Sequence, residues 1–570
     1  MNKLKTNYLI SYLKKVILFV VVLALTVCLT GCEEQDELVL RVYSWEDYID
    51  DGTDDNGIKI GNSVMEDFEE WYFEKYGVKV IVEYDTFATN EVMMNTLKTG
   101  KTSYDLICPS DYTIQKMIGN SPEENMLEEF DYTLRDQNGD LIIDNYKYLS
   151  PYLRNLFEEK GWDKYSIPYM WGTLGLIYNP EVVDHEDAKH WNILWDEKYK
   201  NQATAKDSVR DTYVIGVMEV YYDELMELRE KYLNNEISQK EYSAHIQEIM
   251  NRCDDPNDPT EPGGTLEKIE RALKDMKNNL YGFEVDNGKS DIVTGKIAIN
   301  FAWSGDAVYS LDTAEYDNEE EPVYLYYSVP EEGSNVWFDG WVMPKGANKK
   351  LAQSFVNYLC SPEMAVRNMN FIGYTSGIIG DEVLDMINEW YGVLPYYYED
   401  EEDPESTGWY FDGEILDIDY SADSEPKIIP NSNGENLYDI YINDTLIEEE
   451  VECYEVSLNH YFENADQEIL DSIKPRYLKD GKVTVYVWER DRQFDTQYPS
   501  MEVLARCAIM EDFGTQNNAV MDMWENVKIG DIPFSITIIV IILLSLGLGA
   551  LYTKRIMKAR QKAKRRKIIE

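Results

Sequence analysis

A mostly apolar run, "LVLRVYSW" from Leu38 to Trp45, predicts a strand, and it stops in a cluster of rings and acids: Trp45, Glu46, Asp47 and Tyr48. Ser63-Val64-Met65-Glu66 has the form of a capping box, which predicts a helix start. Its apolar positions Val64, Phe68, Trp71 and Tyr72 fall on one helical face, and Gly77 suits the left-handed residue that ends such a helix. A strand over "VKVIVEY", a helix over "NEVMMNTLKTG" and a strand over "YDLICPS" follow. Strands alternating with helices predict an α/β fold with a parallel sheet. Ligands in such sheets sit beyond the carboxyl ends of strands. Trp45–Tyr48 and Ser110–Tyr112 fall at two such ends.

From Tyr165 a second αβ block runs to Trp341, opening with "YSIPYMWGTLGLIYNP". It holds a charged helical hairpin, roughly Val214 to Cys253, and the loop "DDPNDPTEPGG". Ser361 followed by Pro362 marks another helix start. Residues 381–492 are strongly acidic, contain strand-like pieces such as "LYDIYIND", and read as an inserted subdomain.

Two apolar segments frame this body. "VILFVVVLALTVCLTGC" follows a basic start and ends at Cys32, the pattern of a secretory signal (1–31). Leu29-Thr30-Gly31-Cys32 looks like a lipobox, with Cys32 as the lipidated first residue; an uncleaved signal anchor is the alternative. "PFSITIIVIILLSLGLGALY", 533–552, has no charge and about the 20 residues a spanning helix needs. The basic tail at 553–570 then belongs in the cytoplasm, and the bulk of the chain outside the membrane.

Charge sharpens the picture. The net charge is −54 over 570 residues. Four basic residues precede Gly31 without an acid, and nine follow from Lys554 against one acid, so the middle holds 40 basic and 106 acidic residues. Such a body repels nucleic acid and attracts cations over roughly 8–10 Å. Of seven cysteines, Cys28 leaves with the signal and Cys32 would carry lipid. The other five show no C-x-x-C spacing, which predicts mostly free thiols and no zinc or redox motif. "TGKTS" follows a helix instead of a strand and lacks the first glycine of a phosphate loop. The four histidines form no H-E-x-x-H, no serine sits in a G-x-S-x-G elbow, and Asp417, Asp419 and Asp423 lack the rest of a calcium loop. No cofactor, metal or catalytic set is predicted.

"YSWEDYI", "YDLICPSDYTIQKM", "YSIPYMWGTLGLIYN", "NFAWSGDA", "WFDGWVMPKGANKK" and "FIGYTSG" occur in this order. Together they resemble the spermidine/putrescine-binding proteins of polyamine ABC transporters, over roughly residues 38–378 and again about 498–528. The resemblance implies a two-lobe periplasmic-binding-protein-like fold with crossover strands, closing over a polyamine by hinge motion. Lobe 1 would take 38–164 and return at 337–380; lobe 2 would take 165–336 and return at 493–530. It further implies rings along the ligand's methylenes and carboxylates at its ammonium ends. The implied ligand-binding residues are Trp45, Asp47, Tyr48, Ser110, Tyr112, Asp207, Asp211, Trp303, Trp337, Asp339 and Tyr374. Asp207 competes with Ser208 for its position, and Asp111 and Glu46 depart from the pattern, as does Met510 where the spermidine binder has a glutamine. The alternative for the tryptophans is plain core, and for the acids a solvated loop. Implied partners are permease subunits with a separate ATPase. A surface sensor or adhesin built on the same fold is the competing function.

Overall fold

A computed structural model describes residues 37–529, apart from 54–56, 101, 120, 254–263, 317–321, 400–405, 419 and 489–491. The signal and lipobox with Cys32, the 533–552 segment, the basic tail, Asp419 and most of the "DDPNDPTEPGG" loop lie outside the described residues. Among the described residues, no helix is long and apolar enough to cross a membrane.

Two compact units share the chain, divided after Trp171, after Trp337 and after Trp488. The first two divisions fall inside single strands, Ser166–Tyr178 and Ser334–Pro344. Unit 1 comprises the described residues up to Trp171 together with 338–488, and unit 2 comprises 172–337 and the residues from 492 on.

In unit 1 the Leu38–Trp45 strand pairs in parallel on both sides: with Val80–Phe87 through eight registered positions, and with the short Leu106–Ile107 strand. Val342 then pairs antiparallel to Ile107, so the sheet is mixed and not purely parallel. The predicted "YDLICPS" strand contracts to Leu106–Ile107, and Ser110 already stands at the N-cap position of the helix Asp111–Ile118, without a side-chain cap bond. The helix Val64–Tyr76 forms as expected. Ser63 and Glu66 close the capping box, and Gly77 takes φ 69° at its end. Its buried Phe68 meets Phe355 edge-on at 4.9 Å, in a core that includes Leu40, Val42 and Trp341.

The acidic segment belongs to unit 1. Leu437–Ile442 alternates half-buried and buried positions, as the sequence period suggests, and sits between Pro426–Pro430 and Thr445–Glu452. A small core of Val393, Tyr438, Ile440, Val451, Cys453 and Tyr486 supports it. Elsewhere in unit 1, Ser150 Oγ donates to Tyr461 O at 2.8 Å, and the Tyr461 ring packs 5.7 Å from that of Trp171.

In unit 2, Leu174–Tyr178 runs antiparallel to Ile299–Trp303, which pairs in parallel with Ala203–Lys206 and through it with Gly282–Glu284. The predicted hairpin is three helices: Val209–Val220, Tyr222–Leu233 and Gln239–Met250. Tyr221 leaves helical geometry (ψ 20°) and breaks the first from the second. That first helix is mostly buried rather than charged, and it lies so close to Thr265–Asn279 that a Cβ at Gly216 would stand 2.7 Å from Ile269 Cγ2. Asn517–Ile529, the last described helix, packs on the same Thr265–Asn279 helix, where Lys277 Nζ reaches Val527 O at 3.0 Å.

The Ser63 cap satisfies the N–H of Glu66, and Glu66 returns the bond to Ser63 N at 2.9 Å. Ser63→Ala is expected to lower the denaturant stability of the chain by about 1 kcal/mol, the usual cost of a lost cap; an unchanged midpoint would contradict this.

Candidate ligand-binding site

Unit 1 places Trp45 at the end of its strand, opposite Phe87 and with the two rings 4.6 Å apart. The chain then turns through Asp47, which is exposed and left-handed (φ 51°), and this turn directs Tyr48 into the protein. The Tyr48 hydroxyl donates to Asp339 Oδ2 at 2.7 Å, with both side chains buried. Tyr169 and Tyr374 meet the Tyr48 ring edge-on at 5.6 and 5.9 Å, and Tyr169 Oη donates to Tyr48 O at 3.0 Å. Burial, and then the Asp339 charge, push the Tyr48 phenol well above its ordinary value. It therefore remains a donor to the carboxylate at any physiological pH.

Ser110 comes to Asp339 through an isolated antiparallel bridge. Its side chain and the Tyr112 hydroxyl both accept from Asn90 Nδ2, at 3.1 and 2.9 Å. Asn90 is thus the residue that holds Ser110 and Tyr112 together. Its position at the start of an ordinary-looking helix carried no sequence signal for that role. Asp111, the departure from the family pattern, is buried and serves the local backbone: it accepts from Tyr112 N at 2.6 Å and from Phe338 N at 3.4 Å.

Unit 2 holds the remaining four residues. Asp211 is in the first turn of Val209–Val220, where Ser208 caps the helix by accepting from Asp211 N at 3.4 Å. A side-chain hydrogen bond joins Asp211 to Trp303, at the end of its strand. These two are therefore brought together. Burial pushes the Asp211 carboxyl above its ordinary value; Ser208, Lys206, Arg210 and Trp303 pull the other way without cancelling it. Asp207 is exposed and pairs with Lys528 at 3.2 Å. Trp337 is buried, and its indole N–H donates to Thr173 O at 3.2 Å. The close fit requires Gly172, where a Cβ would stand 2.8 Å from the Trp337 ring and 2.2 Å from Ser304 Oγ. Met510 is buried as well.

Lys206, one residue before Asp207, carries no signal in the sequence that sets it apart from a surface lysine. It is fully buried, with its ammonium 4.5 Å from the Trp303 ring centroid. Nζ contacts Asp306 Oδ2 at 2.9 Å, Val285 O at 2.8 Å and Glu284 Oε1 at 3.2 Å. Burial alone would push this ammonium down, but Asp306 and Glu284 hold it above its ordinary value. It stays charged.

The raised Asp211 value has a sign that can be checked. The neutral form contributes its full share of stability below the ordinary 3.8, and that share is lost as pH rises through the raised folded value. Asp211→Asn should flatten this part of the acid-range profile of unfolding midpoints. An unaltered profile would mean that Asp211 titrates normally.

A family model, bacterial extracellular solute-binding protein, matches residues 63–384, more than half of the chain. The spermidine/putrescine-binding periplasmic protein of Escherichia coli K12 is 26% identical over 353 residues, which cover 62% of this chain and 81% of that protein. The putrescine-binding periplasmic protein SpuD of Pseudomonas aeruginosa is 25% identical over 350 residues, covering 60% and 79%. Among solved structures, the spermidine/putrescine ABC transporter substrate-binding protein PotD of Streptococcus pneumoniae is similar at 28% identity and a TM-score of 0.41, covering 60% of this chain and 83% of that one.

Proposed function

The chain belongs to the bacterial extracellular solute-binding proteins, and from that premise we propose that it captures a polyamine outside the cell and delivers it to an ABC permease driven by a separate ATPase. The observation that carries the ligand class is the buried Asp339 carboxylate, held by the Tyr48 phenol at 2.7 Å beside the Tyr374 ring. An ammonium leaving water loses a large solvation energy, which only a hydrogen-bonded counter-charge offsets. An aromatic face adds on the order of 0.5–2 kcal/mol per cation and also covers methylene groups. Sugars call for rings with neutral polar groups, and amino acids for an arginine against their carboxylate. The residues we propose for this role are Trp45, Asp47, Tyr48, Ser110, Tyr112, Asp339 and Tyr374 in unit 1, and Asp207, Asp211, Trp303 and Trp337 in unit 2. The names of the relatives support the same ligand class. The role is capture, with no chemical step.

Tethering completes the proposal. A lipid on Cys32 and a spanning helix at 533–552 would keep the receptor within reach of its permease and raise its effective concentration there. The prediction for the anchor is direct: cells fed a labelled fatty acid should label the wild-type chain, and Cys32→Ser should abolish the label. Labelling that survives the substitution would remove the lipobox.

For the ligand, titration calorimetry of the full-length chain with putrescine and spermidine is expected to give saturable heats. Asp339→Asn should weaken binding at least about tenfold, because a buried ammonium loses its partner. Heats absent at millimolar amine would end the reading, whereas an unchanged affinity in the variant would remove only Asp339 from the site.

A further inference from the structure

We propose that Lys206 is a built-in occupant of an ammonium subsite made by Trp303, Asp306, Glu284 and the Val285 carbonyl, and that by filling it the chain selects diamines over triamines. This rests on the polyamine reading above and gives it a ligand length.

The surroundings of the Lys206 ammonium are those that amine recognition demands. One aromatic face lies 4.5 Å away, two carboxylates lie at 2.9 and 3.2 Å, and a backbone carbonyl lies at 2.8 Å. Val285 O and Asp306 Oδ2 accept hydrogen bonds from the ammonium, Glu284 Oε1 lies at ion-pair distance, and the ring completes the shell as it would around a ligand cation. The cage is shut off from the surface: Lys206 is fully buried, and Asp306 and Glu284 are nearly so. A lysine is also a primary amine on a four-carbon stem, so the chain has placed an aminobutyl group of its own against Trp303.

Asp207 is paired with Lys528, which also lies 3.9 Å from Glu525, and Asp211 lies within the fields of Lys206 and Arg210. The Lys206 amine fills the one ammonium position of this cage, so an additional ligand ammonium finds no such shell there, and Met510, buried in this unit, offers no hydrogen-bond acceptor beyond a weak thioether. Lys206 already occupies one face of Trp303, so the ring meets a ligand only with what remains, where it covers methylenes.

The test compares 1,4-diaminobutane with the triamine spermidine by calorimetry on the full-length chain. Wild type should bind the diamine at least about tenfold tighter, the scale of one ammonium lacking its partner. Lys206→Ala vacates the cage, so the ratio should fall or reverse, and millimolar methylamine, which refills the vacancy, should restore it. Lys206→Arg should keep the wild-type preference. Wild type binding the triamine as well as the diamine overturns this inference and leaves the polyamine reading standing; binding neither overturns both. A wild-type preference that survives unchanged in Lys206→Ala assigns selectivity elsewhere and also overturns it. Should the alanine variant fail to fold, Lys206→Gln, which keeps a polar stem and loses the charge, takes its place: its ratio should fall as well, and a wild-type ratio in it overturns the inference.

Discussion

A carboxylate withdrawn from water must be answered by a donor or a cation, because leaving it unpaired costs more than a small domain can tolerate. Each unit is organised around that requirement. In unit 1, Asp339 is met by the Tyr48 hydroxyl, and the ring that carries this hydroxyl is held between the edges of Tyr169 and Tyr374. In unit 2, Asp306 and Glu284 are met by Lys206. The two answers differ in kind. A phenol brings a donor without a charge, whereas a lysine brings a positive charge of its own.

The large acid excess plays a separate part. Glu448, Glu449 and Glu450 on the Thr445–Glu452 strand are exposed, as are Glu46 and Asp47 near the unit 1 residues. Solvated charges of this sort contribute little to stability in pairs, but their summed field concentrates cations within a Debye length. The surface therefore favours the approach of any cation, without distinguishing one from another.

Local signals were legible in the sequence, and long-range ones were not. Ser63, Glu66 and Gly77 announced a helix and both its ends, because a capping box and a left-handed glycine act within four residues of themselves. The Leu437–Ile442 strand was visible for the same reason, its period being a property of six consecutive residues. The break at Tyr221 is not legible, because no glycine or proline marks it. The shortening of the Leu106–Ile107 strand was missed because Ser110 reads equally well as a strand end and as a helix cap. Of the candidate site, the rings and acids stood out by resemblance, but their supports did not. Asn90 reaches residues 20 and 22 positions away, and Lys206 reaches an acid 100 positions away. Nothing in "KDSVRDTY" distinguishes a buried lysine from a solvated one.

The three divisions of the chain bear on how the molecule is made. The Thr265–Asn279 helix of unit 2 is covered by Asn517–Ile529, which follows it by more than 200 residues and comes after the whole acidic segment. A ribosome or a secretion pore delivers residues in order. Unit 2 must therefore wait, with one side of that helix uncovered, until nearly the last of the described chain has emerged. During that interval the acidic stretch is the most recently delivered part of the polypeptide, and its like charges keep neighbouring nascent chains apart.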